Sequence, residues 1–309
     1  MIHPWVFEFV PELKTPDRTE PGRIARYFSD YLGLWEQDEA LGFTGIFFSE
    51  HHFGYSFSSS PNLLIAALAH RTRRMRLGIM GVVLPYYHPA RVIEELGILD
   101  QLTDGRLEIG TAVGIPQELA RLNMSMAEAR ERNDEILEII DAVADGQAVT
   151  DHAGRHFNFH DVRLLPPMCQ ARPPRWTTVV SAGSARKAAQ RRSKICTGFN
   201  SVAEVRELFD AYRDEAAKIG FPVTPDDIAI RRRVIIAPTD AATRGFADAA
   251  ASRFQEFVSH DSRLASNQIP DAPKASGGFS ISEDEFVIGV PSRVADVIRR
   301  QCEATGAGH

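Results

Sequence analysis

Apolar and polar positions along this chain recur with two periods that take turns. Trp5 to Val10 is a short apolar run broken by Glu8 and stopped by Pro11, which predicts a strand. From Pro21 the spacing lengthens. Ile24, Tyr27, Phe28, Tyr31, Leu32 and Trp35 share one face of a helix that Gly42 closes. Phe43 to Phe48 carries no charge and predicts a buried strand, which breaks into Ser49, Glu50, His51 and His52. Ser60 as cap and Pro61 at the first helical position predict a helix through Leu63, Leu64, Ala67 and Leu68.

The alternation continues. Arg76 to Leu84 predicts a strand stopped by Pro85, and His88-Pro89 starts a helix carrying Val92, Ile93, Leu96 and Leu99. Asp104-Gly105 marks a turn before a strand over Leu107 to Val113. A helix is predicted over 126–145, then an irregular stretch from Gly146 to Arg175. Strands follow at Trp176–Val180, Lys194–Phe199 and Ile228–Ala237, with helices at 185–192, 202–219 and 241–258. Residues 259–280 are too polar to pack and are expected to form a lid. Val287 to Val290 and a helix from Pro291 to Ala304 complete the chain.

Strands separated by helices imply parallel pairing, because each parallel connection must return across a face of the sheet. Seven such strand signals predict an α/β TIM barrel, with the eighth strand expected beyond His309. A doubly wound open sheet is the alternative, but the glycine-rich turn it needs after its first strand is missing. With 309 residues, 44% hydrophobic, the chain is expected to form one domain over 1–309.

Composition narrows the function further. A net charge of -6 offers no basic footprint for nucleic acid. No apolar run reaches the roughly 20 residues that span a bilayer, and Met1-Ile2-His3-Pro4 lacks a basic leader, so a cytoplasmic protein is expected. Cys169, Cys196 and Cys302 have no metal-ligand spacing and are read as reduced thiols.

The candidate chemistry sits where the second strand ends. Neighbours on a strand point to opposite faces, so His51 and His52 are not expected to ligate one metal. One histidine is left as an acid, base or hydrogen-bond donor and the other as support; the alternative is two histidines filling polar gaps.

Glu50-His51-His52-Phe53, Arg76-Leu77-Gly78, Val83-Leu84-Pro85, His88-Pro89-Ala90-Arg91, Glu94-Glu95 and the run Leu99 to Arg106 together resemble the bacterial luciferase-like flavin monooxygenases. The resemblance is densest over 43–114 and returns over 173–192 and 286–309. It implies reduced FMN bound at the carboxyl ends of barrel strands, and a flavin hydroperoxide that oxidises a small organic substrate. His51 inherits the catalytic position, with Glu50 beside the cofactor. Met80-Gly81 falls where the family often has a non-proline cis peptide beneath the flavin ring. Ser181, Ala182, Gly183 and Ser184 match the phosphate loop, where hydroxyls and free amides at a helix start suit an anion. Ala112 and Val113 fall in the segment where luciferase carries a phosphate-binding arginine; valine there implies loosely held flavin, delivered reduced by a separate reductase. Phe9, His52, Tyr55 and Phe57 are expected to shape the substrate pocket. Ala66, Ala67 and Ala69 lie on a helix that commonly forms a homodimer interface in the family, or else packs in the core. Two other functions stay open: a deazaflavin-dependent oxidoreductase on the same barrel, and a non-catalytic flavin-binding subunit.

Overall fold

The structure, a computed structural model, describes residues 1–11, 21–53, 56–249, 252 and 283–309. Two compact units account for them: His3–Thr178, and Val179–His309 together with Met1–Ile2.

The first unit is built on parallel strands. β1 (Trp5–Glu8) leads through α1 (Arg23–Leu41) to β2 (Gly45–Phe48), and α2 (Pro61–Ala69) leads to β3 (Arg76–Val83). Then come α3 (Pro89–Leu102), β4 (Leu107–Ala112), the short α4 (Pro116–Arg121) and α5 (Met126–Ala144). A small antiparallel hairpin, β5 (His152–Ala153) and β6 (Asn158–Phe159), precedes β7 (Arg175–Thr178). The strands pair in parallel in the order β1, β2, β3, β4, β7. Trp35, Phe48, Ile65, Leu68, Leu77, Leu96 and Ile136 are buried in the core that the helices close over this sheet.

On the sheet, space taken from glycines is given to aromatics. A Cβ at Gly45 would collide with the Trp5 ring, and one at Gly78 with the Phe47 ring. Those two rings stack at 4.5 Å, and Trp176 meets Phe47 edge-on at 5.5 Å. Below them the buried Glu108 accepts from Trp176 Nε1 at 2.5 Å and pairs with Arg76, so its charge is compensated where water is excluded.

The second unit contains α6 (Ala182–Gln190), β8 (Lys194–Thr197), α7 (Val202–Lys218), β9 (Ile228–Ile230) and β10 (Arg233–Ile236). After them come α8 (residues 240–249), β11 (Phe286–Gly289) and α9 (Pro291–Thr305). β8 pairs with β9, and β10 with β11, both in parallel. Val179, Ile195, Phe209, Tyr212 and Ile228 form its core.

Several boundaries differ from the sequence pattern. The run 228–237 forms two strands, interrupted at Arg231-Arg232. The eighth strand of the alternating series lies inside the chain as β11, where four residues were too short a signal to be counted. The stretch 146–175 holds the β5–β6 hairpin, pinned to α5 because Glu135 accepts from His152 Nε2 at 2.9 Å and from the amides of His156 and Phe157, both at 3.0 Å. Ser60 precedes α2 without bonding it through its side chain. Asp100 is fully buried and holds Gln170 by its amide at 2.7 Å and its side chain at 2.8 Å. The helix expected over 241–258 is described over 240–249, and the expected lid at 259–280 lies outside the described residues.

Candidate functional site

β2 ends at Phe48, and the chain leaves the sheet carrying Ser49, Glu50, His51 and His52. Burial of Ser49 and Glu50 keeps the start of this segment fixed while the two imidazoles turn to different carboxylates. His51 Nδ1 lies 3.1 Å from Glu118 Oε1, and its ring stacks on Phe9 at 5.6 Å. His52 Nε2 lies 2.7 Å from Glu50 Oε1, and its ring stands edge-on to Tyr86 at 5.1 Å. The two imidazoles thus engage different carboxylates. Among the described residues no group of histidines, cysteines and carboxylates could hold a metal.

Each carboxylate organises a small network. Glu118 is buried, and its Oε1 also accepts from the His52 amide at 3.0 Å while Tyr86 donates to Oε2 at 3.4 Å. Glu50 is buried too; besides His52 it accepts from Tyr87 Oη at 2.9 Å and from the Val83 amide at 3.1 Å. Both Glu50 oxygens are therefore engaged within the chain, and the residue braces His52. Burial alone would lower the His52 imidazolium pKa, but the bond to Glu50 and the charges of Glu50 and Glu118 outweigh it and raise it. The Tyr86 and Tyr87 phenols are pushed above their ordinary value by burial and by Glu118 and Glu50 respectively, so both remain donors.

Accepting oxygens on Glu118 assign Nδ1 of His51 as the donor, which leaves Nε2 as the nitrogen free to hold or give a proton. His51 keeps 29% of its side chain exposed, against 17% for His52. Both imidazoles are held by buried carboxylates, and His51 is the more accessible of the two, an arrangement suited to general acid–base work.

Glu118 was not found from sequence. It sits on α4, six residues long and too short for periodicity to register. The pair Ile115-Pro116 followed by an acidic residue in the first turn was the available signal.

The remaining expected residues fall as follows. The Met80–Gly81 peptide is cis, in the position the resemblance implies. A Cβ at Gly81 would come within 2.6 Å of the Thr111 carbonyl carbon, so close approach of β3 to β4 already demands glycine there. Ala112 closes β4, and it and Val113 are half-buried. Phe9 is brought against His51, whereas Phe57 packs on Tyr27 at 5.7 Å and Phe28 at 5.9 Å beside the core cluster. Tyr55 lies outside the described residues.

In the second unit, Ser181 and Ser184 form a capping box at the start of α6. Ser184 N donates to Ser181 Oγ at 3.2 Å, and Ser184 Oγ accepts from the amides of Val180 and Ser181, both at 3.1 Å. The hydroxyls are thereby committed to the cap. Ala182 and Gly183 supply first-turn amides, which have no intrahelical acceptor, and a Cβ at Gly183 would meet nothing closer than 3.8 Å. The chemistry of this helix start fits a phosphate through backbone N–H groups and the helix dipole, with the serines shaping it.

A family model for luciferase-like monooxygenases matches residues 9–307. The chain belongs to the luciferase-like monooxygenase family. The alkanal monooxygenase alpha chain of Photobacterium leiognathi is 27% identical over 90% of this chain and 84% of its own. Among solved structures, a monooxygenase from Streptomyces bottropensis aligns with a TM-score of 0.82 and 25% identity, over 98% of this chain and 89% of the other. The oxygenating constituent of 3,6-diketocamphane monooxygenase from Pseudomonas putida, solved with FMN, aligns with a TM-score of 0.80 and 20% identity, over 99% and 90%. These likenesses give the luciferase-like chain a TIM-barrel α/β fold, as the alternation of strands and helices predicts. No described helix is long and apolar enough to cross a membrane.

Proposed function

We propose that this luciferase-like chain is an FMN-dependent monooxygenase in which His51, oriented by Glu118, is the acid–base group. The observation that carries the reading is the Glu118–His51 pair at 3.1 Å, with the imidazole still partly exposed beside Phe9. Reduced FMN, when bound, supplies the electrons with which oxygen is activated. His51 Nε2 holds or returns a proton during oxygen activation and substrate oxidation, and Glu118 fixes the tautomer and ring plane. Phe9 keeps water from one face of the imidazole. Ala182 and Gly183 offer their amides to a phosphate, and Val113 contributes no charge of its own, in keeping with flavin that arrives reduced from a separate reductase. We further propose a homodimer through the outer face of α2 and α3, where Leu63 is 70% and Ile98 44% exposed.

The deciding experiment is titration with reduced FMN and with the deazaflavin cofactor, coupled to oxygen uptake on an aldehyde and ketone panel. FMN-dependent uptake with product formation supports the reading. Binding of deazaflavin alone, without oxygen consumption, rejects it. Flavin binding without turnover of any substrate, unchanged by His51→Ala, would instead support a non-catalytic subunit.

A further inference from the structure

β3 ends at Val83, and Pro85, which has no amide to donate, takes the chain through one tight helical turn, Leu84–Tyr86, before α3 begins at Pro89. Tyr87 donates its amide to the Leu84 carbonyl at 3.0 Å and returns to extended backbone, with φ of -118° and ψ of 158°. One tyrosine closes a turn and the next is extended, so their hydroxyls reach different acceptors. Tyr86 Oη donates to Glu118 Oε2 at 3.4 Å, and Tyr87 Oη to Glu50 Oε1 at 2.9 Å. These are the two carboxylates that hold the histidines: His51 Nδ1 lies 3.1 Å from Glu118, and His52 Nε2 2.7 Å from Glu50. Consecutive tyrosines are thereby joined to consecutive histidines through two separate carboxylates.

The carboxylates are placed to transmit what the phenols do. Their side chains are 4% exposed at Glu118 and 1% at Glu50, so water screens them little. Among the described residues neither forms an ion pair with a lysine or arginine. Each divides its acceptor capacity among an imidazole, a phenol and one backbone amide, that of His52 at 3.0 Å for Glu118 and that of Val83 at 3.1 Å for Glu50. A donor on one side of a carboxylate draws negative charge away from the imidazole on the other. The phenol therefore sets how tightly the imidazole keeps its proton.

Packing fixes the rings that carry these hydroxyls. Gly114 has a φ of 93°, and a Cβ there would stand 2.9 Å from Val83 Cγ1 and 3.5 Å from Tyr86 Oη, so glycine keeps the space in which that hydroxyl sits. The Tyr86 ring is edge-on to His52 at 5.1 Å, and Tyr87 packs against the core cluster. Two further charges act on the phenols: Arg121 of α4 on Tyr86, and Glu95 of α3 on Tyr87.

We infer that Tyr86 and Tyr87 are positioning residues for the histidine pair, Tyr86 acting on His51 through Glu118 and Tyr87 on His52 through Glu50. For His51 this deepens the acid–base reading and rests on it for its catalytic meaning. The coupling itself is a property of the four side chains and the two carboxylates, and is measured without turnover.

The full chain is labelled with ¹⁵N-histidine, its imidazole resonances are followed by NMR from pH 5 to 9, and His51→Gln and His52→Gln assign the two signals. Tyr86→Phe is expected to raise the titration midpoint of His51 by about half a pH unit relative to the wild type, and that of His52 by much less. Tyr87→Phe is expected to do the reverse. In a Glu118→Gln background, Tyr86→Phe moves His51 no further, because the path runs through that carboxylate. Phenylalanine keeps each ring. Should either variant fail to fold, 3-fluorotyrosine throughout the chain, a stronger donor, is expected to lower both midpoints. Midpoints that do not move, that move equally at both histidines in each single variant, or that still move in the Glu118→Gln background would overturn the inference. A lack of FMN-dependent oxygen uptake would remove the oxygenase reading and leave these midpoints to decide the coupling by themselves.

Discussion

At the residue scale the site depends on two histidine–carboxylate pairs with different duties. Glu118 touches His51 and the His52 backbone at once, so it acts by positioning. Glu118→Gln is expected to lower kcat about 100-fold while leaving KM within about threefold, since a misplaced imidazole affects the reaction more than binding. Steady-state kinetics with a pH profile checks it: the limb assigned to His51 shifts, and Glu118→Asp restores part of the rate. An equal loss in kcat and rise in KM would mark Glu118 as merely structural. His52 carries a pH signature. Its folded pKa is raised above the unfolded value of about 6.5, so its stabilisation is complete below that value and is lost as pH rises through the folded pKa. His52→Gln is therefore expected to cost more melting temperature at pH 5.5 than at pH 9. A constant difference across that range would deny the Glu50 pairing its electrostatic part.

At the scale of elements, helices and strands are fastened by carboxylates that receive backbone amides. Glu39, near the end of α1, accepts the amides of Arg73, Arg74 and Met75 at 2.9, 2.6 and 2.8 Å, fixing the turn into β3. Burial raises its pKa, but the three amides outweigh burial and bring it down to about 2. A depressed carboxylate stabilises above its unfolded pKa of about 4.5, and the contribution fades as pH falls toward 2. Glu39→Gln is expected to cost about 2 kcal/mol at pH 7 and little near pH 2, measurable by urea unfolding at both. Strand packing gives a steric test. Gly81→Ala drives a methyl into the Thr111 backbone, where neither strand can yield, and about 1–3 kcal/mol of destabilisation is expected on calorimetry. An unchanged melting temperature would mean that β3 and β4 lie farther apart than described.

At the scale of the whole molecule, the proposed homodimer predicts that Leu63→Asp lowers the sedimentation coefficient to the monomer value without unfolding the chain. The sequence alone determined the alternation of the longer strands and helices, because the switch between two-residue and three-to-four-residue periods is a local property that folding preserves. It also placed Ser49, Glu50, His51 and His52 beyond the carboxyl end of β2, since ionisable groups directly after a buried strand come out there. What it could not determine was which carboxylate meets which histidine. Glu118 lies 67 residues from His51, on a helix too short to be seen, and Glu285 lies 54 from Arg231. Phe57 and Phe9 look alike as aromatic residues near the site, yet one faces the α1 core and the other the imidazole. Partnership across such separations is set by the register of parallel strands and by which side chains burial forces together, and these are properties of the folded chain only.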